Sequence, residues 1–459
     1  MIKKNDVIEL DVNSITNLGF GVGRYDGLVV FVAGAVAGDV AKVKIIKITS
    51  SYAVGRVEKF IKNSEIRDTS RCNISGCQSC AYKQISYEYE KEIKEADVKE
   101  AFIKAGLGDV KIEKLVASPL CSEYRNKAQY PIAQDKNGRY IVGFYAPKSH
   151  RVTEASHCPL APCVFGDILD TLVSFFEKHS VSVYSEKYNK GLLRHIYLRR
   201  GEVSGEILLT LVINGDTLPH SDELVKIIKD SYPDVVGILL NVNKKNTNVI
   251  LGDKYVTLYG RDYIYDILCG VKLKITAPSF YQVNHGAAEL LYKKARELAM
   301  PTKDDTLLDL YCGAGSIGLS MAKEAGELIG IEIVKSAVDC ARENAKTNEI
   351  DNAKFYTGDA TDCEKLLDNA ERTLGRSIRP TVIILDPPRA GCDEKLIRYT
   401  SALSPKRIVY ISCNPTTLAR DCALFRKLGY LCGTVTPFDL FPLTGHVESV
   451  VCLTRTFDN

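Results

Sequence analysis

The chain has 459 residues, of which 60 are lysine or arginine and 57 are aspartate or glutamate, giving a net charge of +3. This length allows two or three domains, and the near balance of charge excludes binding to nucleic acid by overall charge alone. Fifteen cysteines without a secretion signal indicate a cytoplasmic, reducing location, where cysteine serves metal binding, catalysis or packing. The longest apolar stretch is too short to span a bilayer, so no membrane partner is expected.

Residues 1–60 contain short apolar runs separated by glycine and turn residues, at 28–32, 41–48 and 53–60 among others. Five short strands in this length are typical of a small closed β-barrel of the oligonucleotide-binding kind. Alternation along the fourth strand predicts that Val43 and Ile45 point inward while Lys42 and Lys44 share the outer face. A solvated strand face would explain the lysines equally well.

Residues 61–265 are predicted to form a mixed α+β middle domain. A helix is expected over 86–105, with Tyr89, Ile93, Ala96 and Ala105 on its apolar face and Gly106 as its stop. Largely antiparallel strands follow, at 191–200, 206–213, 236–242 and 248–251.

The middle domain carries a cysteine motif of the metal-binding type. Cys72, Cys77 and Cys80 form C-x4-C-x2-C, and Cys158 is the candidate fourth ligand. Four thiolates hold either a tetrahedral zinc ion or an iron–sulfur cluster. Zinc ribbons use two close pairs, so this three-plus-one arrangement favours a cluster, with zinc as the alternative. The C-x3-C-x2-C motif of radical S-adenosylmethionine enzymes is one residue shorter, which disfavours that class.

Three segments of the middle domain interleave basic with aromatic or histidine residues, at 124–127, 149–151 and 194–200. Aromatic stacking combined with phosphate contacts is how looped or single-stranded RNA is bound. Each segment alone is explained equally well as surface charge, but the three together favour RNA-binding patches.

Residues 266–459 alternate between predicted strands, at 306–310, 327–332, 381–385 and 407–411, and helical stretches. This alternation predicts a Rossmann-like α/β domain, in which a parallel sheet is covered by helices on both faces. The segments 431–435 and 447–454 are expected to close the sheet as a hairpin.

The first of these strands leads into a glycine-rich loop. Gly313, Gly315 and Gly318 match G-x-G-x-x-G, and Glu332 ends the next strand, where a carboxylate can bind ribose hydroxyls. The pattern alone fits nicotinamide dinucleotides, flavins and S-adenosylmethionine. Asp309 at the start of the loop and Asp359 after the third strand favour S-adenosylmethionine, because its ammonium group requires an acceptor.

Three residues near the C-terminus suggest covalent chemistry on a pyrimidine. Asp386 ends the fourth strand, Cys413 follows the fifth, and Glu448 belongs to a late His-Val-Glu motif. A thiolate that adds to C6 of uracil makes C5 nucleophilic, and a base must later remove the C5 proton. A helix beginning after Cys413 is expected to stabilise its thiolate, whereas cysteines in apolar segments, such as Cys340, are better explained as packing residues.

These residues carry a family resemblance. The chain resembles the S-adenosylmethionine-dependent RNA uracil-5-methyltransferases, close to their iron–sulfur-containing ribosomal RNA branch. Residues 1–59 resemble a TRAM domain, 72–158 the cluster-binding region and 280–459 the methyltransferase. The motifs that carry the likeness are Phe280-Tyr281-Gln282-Val283-Asn284, Asp309-Leu310-Tyr311-Cys312-Gly313, Asp386-Pro387-Pro388-Arg389, Ser412-Cys413-Asn414-Pro415 and His446-Val447-Glu448.

The resemblance implies specific roles. Cys413 would be the nucleophile and Glu448 the base, and a [4Fe-4S] cluster would be bound by Cys72, Cys77, Cys80 and Cys158. The implied cofactor-binding residues are Gln282, Tyr311, Gly313, Glu332, Asp359 and Asp386. The implied partner is RNA, with large-subunit ribosomal RNA favoured, transfer RNA as the alternative, and no obligate protein partner. A non-catalytic RNA-binding protein is the competing class. In this family the helix after the cluster motif can pack on the catalytic domain.

Overall fold

The computed structural model describes residues 2–147 and 149–456. Its N-terminal part is a closed barrel with the strand order β1-β2-β3-β5-β4. Val43 and Ile45 are buried inside with Leu10, while Lys42 is exposed, which confirms the predicted alternation. The strands are Val7–Ile15 (β1), Phe20–Tyr25 (β2), Leu28–Ala33 (β3), Val40–Ile48 (β4) and Tyr52–Lys62 (β5).

The first helix, α1, spans Tyr87–Lys104, and the Ser86 side chain caps its N-terminus. The predicted apolar stripe is partly wrong. Tyr89, Ile93 and Ala105 are partly buried against hydrophobic clusters, but Ala96 is exposed. The fully buried face consists of Glu90, Lys94, Val98 and Phe102. The error arises because this face buries two charged side chains, Glu90 and Lys94, which pair with each other and with charged residues elsewhere in the chain. Val98 and Phe102 join the core of the C-terminal domain, so α1 packs on that domain.

The middle of the chain is a seven-stranded sheet in the order β12-β11-β10-β9-β6-β7-β8. Its neighbours are antiparallel except for β10 and β11. The strands are Lys127–Gln134 (β6), Tyr140–Tyr145 (β7), Val152–Glu154 (β8), Leu193–Arg200 (β9), Ile207–Ile213 (β10), Val235–Val242 (β11) and Lys254–Gly260 (β12). The helices α2 (Cys163–Lys178) and α3 (Ser221–Ser231) cover one face.

One predicted strand of this region, 248–251, is wrong. The carbonyl groups of Val249 and Ile250 accept hydrogen bonds from the Asn243 side-chain amide at 2.7 and 2.9 Å. These carbonyls are therefore used by a side chain rather than by a neighbouring strand, and the edge strand is β12 instead.

A hairpin of Tyr263–Leu268 (β13) and Val271–Thr276 (β14) leads into helix α4 (His285–Ala299) and the C-terminal domain. Its strands are Thr306–Leu310 (β15), Glu327–Glu332 (β16), Ala353–Thr357 (β17), Val382–Leu385 (β18), Arg407–Ser412 (β19), Tyr430–Cys432 (β20), Thr436–Phe438 (β21) and Glu448–Arg455 (β22). Its helices are Ser316–Ala322 (α5), Lys335–Thr347 (α6), Cys363–Leu374 (α7), Glu394–Ala402 (α8) and Pro415–Lys427 (α9), with a 3-10 turn at Ala360–Asp362.

The sheet order is β17-β16-β15-β18-β19-β22-β20, with β21 pairing beside β22. The strands β15 to β19 run parallel and β22 runs antiparallel to β19, which confirms the Rossmann-like prediction. The carboxyl ends of the parallel strands and the start of β22 therefore meet at one edge of the sheet, where ligands bind in open α/β folds. No helix in the described part of the chain has both the length and the apolar character that crossing a bilayer demands.

Candidate active site

Cys413 and Glu448 come together at this edge of the sheet. Ser412 at the end of β19 pairs with Ser449 of β22, so one further step along the register sets Cys413 opposite Glu448. Side chains directly opposite in an antiparallel pair have Cβ atoms about 5 Å apart. The Cys413 side chain is partly exposed, whereas Glu448 is only 5% exposed. A thiol and a buried carboxyl group thus share one site.

The pKa of the Cys413 thiol is raised to about 11, first by burial and then by the charge of Glu448, while Arg389 opposes the shift. This is contrary to the expected stabilisation of the thiolate by the helix that follows. Helix α9 does begin at Pro415, with the Asn414 side chain as its cap. Loss of water and the nearby carboxylates of Glu448 and Asp386 raise the pKa of the thiol more than Arg389 lowers it, so the thiol is neutral in the free protein at pH 7.

Glu448 lies in the same electrostatic field. Its pKa is raised to about 8, mainly by burial and secondly by Asp386, and Arg389 again opposes the shift. Arg389 therefore favours the charged forms of both Cys413 and Glu448. Its guanidinium also lies 3.2 Å from the His446 ring, and its carbonyl oxygen accepts a hydrogen bond from Asn414 at 3.0 Å. The Asp-Pro-Pro-Arg and Ser-Cys-Asn-Pro segments are thus joined directly.

The glycine-rich loop lies beside this pair, after β15. Tyr311 adopts a left-handed backbone (φ 67°), a strained conformation that is found at functional sites. Gly313 is also left-handed, and a Cβ there would meet nothing within 4 Å, so space is open beside the loop. The Glu332 carboxylate accepts the N–H groups of Gly313 at 3.1 Å and of Val334 at 2.8 Å, which fixes the loop to the end of β16.

Asp309 and Gly318 form the base of the loop. The Asp309 carboxylate accepts the Gly318 N–H at 3.0 Å through Oδ2, while its buried Oδ1 has no partner among the described residues. A Cβ on Gly318 would lie 2.7 Å from that carboxylate, so glycine is needed for the close approach. Burial raises the pKa of Asp309 to about 8. A buried carboxyl oxygen without a partner suits a cationic ligand.

Two further predicted cofactor residues lie at the same edge. The Asp359 carboxylate caps the 3-10 turn by accepting the Thr361 N–H and hydroxyl, both at 2.8 Å, and these bonds lower its pKa. Asp386 follows β18, and burial raises its pKa to about 7. Gln282 is buried just ahead of α4. The sheet edge therefore gathers most of the residues that the sequence motifs predicted.

The four cysteines of the predicted cluster come from two separate segments that meet in the fold. Cys80 and Cys158 pack on one small apolar group with Tyr124. The pKa of Cys80 is raised to about 12, by burial first and then by Cys158, with Cys77 and Cys72 adding to the shift. These electrostatic effects show that the four thiols are neighbours.

A family model described as tRNA (uracil-5-)-methyltransferase matches residues 87–456. The chain belongs to this family. It is an S-adenosylmethionine-dependent RNA uracil-5-methyltransferase. A TRAM domain model matches residues 3–57, in agreement with the predicted barrel.

Relatives extend over the whole length of this uracil-5-methyltransferase. Proteins described as uncharacterized RNA methyltransferases in Clostridium tetani and Bacillus cereus are 36% and 37% identical to it. The alignments cover 99% of this chain in both cases, and 97% and 98% of the relatives. The crystal structure of Pyrococcus abyssi tRNA (uracil-54, C5)-methyltransferase in complex with S-adenosyl-L-homocysteine matches with a TM-score of 0.77 and 26% identity, covering 97% of this chain and 100% of that one.

Sequence patterns missed the residue that fixes the Gln282 segment of the methyltransferase. The Asn126 side-chain amide donates to the Gln282 carbonyl at 2.8 Å. The Asn126 backbone N–H donates to the Val283 carbonyl at 2.9 Å. Asn126 is buried and belongs to the middle domain. Its place inside a basic–aromatic segment indicated RNA binding instead, and no local signal marks it as a positioning residue.

The predicted RNA-binding patches are partly wrong for the same reason. Arg194 and Arg199 are buried, at 5% and 0% exposure. Arg194 donates to the Asn243 carbonyl at 2.7 Å, and Arg199 donates to the Ser279 carbonyl at 2.6 Å. Both guanidinium groups therefore hold loops in place and are not available to phosphates. His150 and Arg151 are exposed, as an RNA contact would require.

Binding of the methyl donor to this methyltransferase should release protons at pH 7. The raised pKa values are about 8 for Asp309 and Glu448 and about 7 for Asp386, so at pH 7 the first two groups are largely protonated and Asp386 is about half protonated. A bound sulfonium and ammonium lower those pKa values, so we expect release of about one proton, vanishing above pH 9. Titration calorimetry in buffers of different ionisation enthalpy measures it.

Matched ligands and variants test the origin of these protons. S-adenosylhomocysteine, which lacks the sulfonium charge, should release fewer protons than the methyl donor. Asp309→Asn should reduce the release, whereas the exposed control Asp304→Asn should not. If the heat of methyl-donor binding to the unmodified protein is the same in every buffer, no proton is released, which would contradict the raised pKa values.

Proposed function

We propose that this enzyme methylates C5 of a specific uridine in large-subunit ribosomal RNA through a covalent bond between Cys413 and C6 of the base. The observation that carries the proposal is that Ser412 pairs with Ser449 at the sheet edge, next to Cys413 and Glu448, and that the charge of Glu448 acts on the Cys413 thiol. Such an enzyme would meet its RNA in the cytosol.

The covalent step supplies the nucleophilicity that uracil C5 lacks. The Cys413 sulfur, once deprotonated, adds to C6, and the electron pair of the C5–C6 double bond moves into an enolate. S-adenosylmethionine supplies an electrophilic methyl group, which C5 accepts. Glu448 then removes the C5 proton, the double bond forms again, and the bond between C6 and sulfur breaks to release Cys413. The target base has to be flipped out of the RNA to reach these side chains, at a cost of a few kcal/mol.

The methyl donor would be held by the residues around the glycine-rich loop. We assign this role to Gln282, Tyr311, Gly313, Glu332, Asp359 and Asp386. The unpartnered Oδ1 of Asp309, the open space beside Gly313 and the raised pKa of Asp386 support this assignment. They describe a site that is open to a ligand and that favours positive charge.

We further propose that Cys72, Cys77, Cys80 and Cys158 bind a [4Fe-4S] cluster with a structural role. A single zinc ion would hold its four sulfurs about 3.8 Å apart, given Zn–S bonds of about 2.3 Å. Within residues 2–147 and 149–456, the one group of potential ligands whose atoms all lie within 4.8 Å of one another is His179, His220 and Glu223. No three of the four cysteine sulfurs, all of them in described residues, therefore lie within 4.8 Å of one another, as they would around a single zinc ion. The buried Nε of Arg125 has no hydrogen-bond partner among the described residues. Because Arg125 lies near Cys80 and Cys158, this N–H group is available as a donor to a cluster bound there.

The cluster assignment predicts the metal content of the protein. Protein purified without oxygen should contain iron and acid-labile sulfide rather than zinc, with broad visible absorbance. Cys158→Ala should lose that absorbance, since a ligand is missing, whereas the exposed Cys163→Ala should keep it. Zinc in place of iron would contradict the assignment.

The proposed substrate is tested by mapping 5-methyluridine. Total RNA from a strain that lacks the gene should lose this base at one or more positions of large-subunit ribosomal RNA. Loss from transfer RNA alone would favour the alternative suggested by the Pyrococcus abyssi structure, whose title names a tRNA (uracil-54, C5)-methyltransferase. Purified protein that transfers no methyl group to either RNA would indicate a non-catalytic RNA-binding protein.

A further inference from the structure

A buried network of four charges lies next to the segment that carries Glu448. It consists of Arg71, Glu90, Lys94 and Asp439, which we call the buried charge network. The Lys94 ammonium donates to Glu90 at 2.7 Å and to Asp439 at 2.8 Å, and Arg71 donates to Glu90 at 2.6 Å. The side chains of Glu90, Lys94 and Asp439 are completely buried. Three distant parts of the chain therefore meet around the Glu90–Lys94 pair.

The network also binds the backbone of the segment 439–447, which leads to Glu448. Lys94 donates to the Phe441 carbonyl at 3.2 Å, and Glu90 accepts the Leu443 N–H at 2.8 Å. Asp439 accepts the Phe441 N–H at 3.0 Å. One lysine and two carboxylates thus fix successive peptide groups of the segment.

The conformation that these bonds hold is strained. Leu443 has a left-handed backbone (φ 69°), although it is neither glycine nor asparagine, and its side chain is only 1% exposed. Such a residue keeps this conformation only where its surroundings impose it. The Leu443 carbonyl accepts the Tyr82 N–H at 2.9 Å, and the Tyr124 hydroxyl donates to the Pro442 carbonyl at 2.9 Å. The segment is therefore held on both sides of Leu443.

Stability alone is a poor explanation for the network. Burying four charges costs desolvation free energy, and apolar side chains of similar volume often stabilise a fold equally well. What apolar residues cannot supply is a directional bond to each peptide group of 441–443. These bonds decide where the following residues lie, and Glu448 comes directly after the segment.

We propose that Lys94 and Glu90 are positioning residues for the catalytic base, acting through the segment 439–447. The inference rests on the proposed function, because it assigns the base step to Glu448. Neither residue needs to contact RNA or the methyl donor. Loosening the segment should displace Glu448 and so slow the removal of the C5 proton, while Cys413, directly after β19, keeps its place.

The test measures methyl transfer and release from the covalent adduct separately in Lys94→Met. This substitution keeps a side chain of similar length and removes its charge. Rapid-quench reactions with labelled methyl donor and RNA measure the rate of methyl transfer in a single turnover. Denaturing gels measure the covalent adduct between the protein and methylated RNA, which persists until the C5 proton is removed. We expect release from the adduct to slow by roughly tenfold to a hundredfold, the range that follows from a displacement of about 1 Å. Methyl transfer and the KM for the methyl donor should change less than about twofold.

The matched control is Lys104→Met on the same helix, because Lys104 pairs with Glu100 at the surface with 73% of its side chain exposed. It should leave both steps unchanged. If Lys94→Met does not fold, Asp439→Asn, which weakens the same bonds, is measured in its place. Equal slowing of both steps, or no slowing in a folded variant, would overturn the positioning role.

Glu448→Gln is measured in parallel, so that the two possible failures can be told apart. If the adduct accumulates in Glu448→Gln but not in Lys94→Met, and Lys94→Met is as active as the unmodified enzyme, the positioning role alone is overturned. Absence of adduct in Glu448→Gln overturns the assignment of the base and the positioning role together.

Discussion

Cys413→Ala should abolish methylation of RNA. Uracil C5 does not attack a methyl donor unaided, so loss of the sulfur removes the step that makes it nucleophilic, and we expect a rate loss on the order of 10⁶-fold, as for other catalytic nucleophiles. Incorporation of labelled methyl groups into RNA measures the rate, and a denaturing gel should show no protein–RNA adduct. Binding of the methyl donor should persist, because Cys413 belongs to the β19 end rather than to the glycine-rich loop.

The control for this variant is Cys340→Ala. Cys340 lies on α6 and is likewise partly exposed, so its replacement removes a comparable thiol that the mechanism does not use. We expect full activity from this control. Near-normal turnover by Cys413→Ala, in a protein that still binds the methyl donor, would exclude covalent catalysis by this residue.

The location of the site could be predicted because its signals are local. The apolar run 407–411 predicted a strand, a helix was predicted after Cys413, and the glycines at 313, 315 and 318 predicted a ligand-binding loop after the strand 306–310. These patterns depend on residues close in sequence, and the structure shows β19, the Asn414 cap and the left-handed Gly313 at those places. The parallel sheet then brings the ends of separate strands to one edge.

The burial of the charges on α1 could not be predicted because Glu90 and Lys94, although they pair with each other, also need partners that are remote in sequence. Glu90, Lys94, Val98 and Phe102 are spaced four residues apart on one helix face, which is the signal that sequence reasoning overlooked. Nothing nearby in the sequence indicates that Asp439 would neutralise Lys94. Arg199 shows the same limit, since its carbonyl partners at 277 and 279 belong to another domain.

The direction of the Cys413 pKa was mispredicted for a related reason. A helix dipole is a local property, and the start of α9 is visible in the sequence. Burial and the charge of Glu448 depend on how β22 packs beside β19, and together they raise the pKa to about 11. The thiol is therefore neutral in the free protein at pH 7, and Arg389 is the nearby positive charge that favours its deprotonated form.

Glu448→Gln should trap the enzyme on its product. The glutamine cannot remove the C5 proton, so Cys413 can still add and the methyl group can still transfer, but elimination fails. We expect steady-state turnover to fall by about 10² to 10⁴-fold, the usual contribution of a general base. Denaturing gels with labelled methyl donor should show methylated RNA bound to the protein, which Cys413→Ala would not show.

The pH dependence adds a second criterion. Burial raises the pKa of Glu448 to about 8 in the free protein, so the base form is scarce at pH 6 and grows as the pH rises through 8. Release of the product from the adduct should therefore quicken over this range in the unmodified enzyme. In Glu448→Gln it should stay slow at every pH.

The exposed Glu297→Gln on α4 serves as the control and should behave like the unmodified enzyme. Rapid, pH-dependent release by Glu448→Gln would assign the base to another residue. Asp386 is a candidate, because its charge acts on Glu448 and its own pKa is also raised.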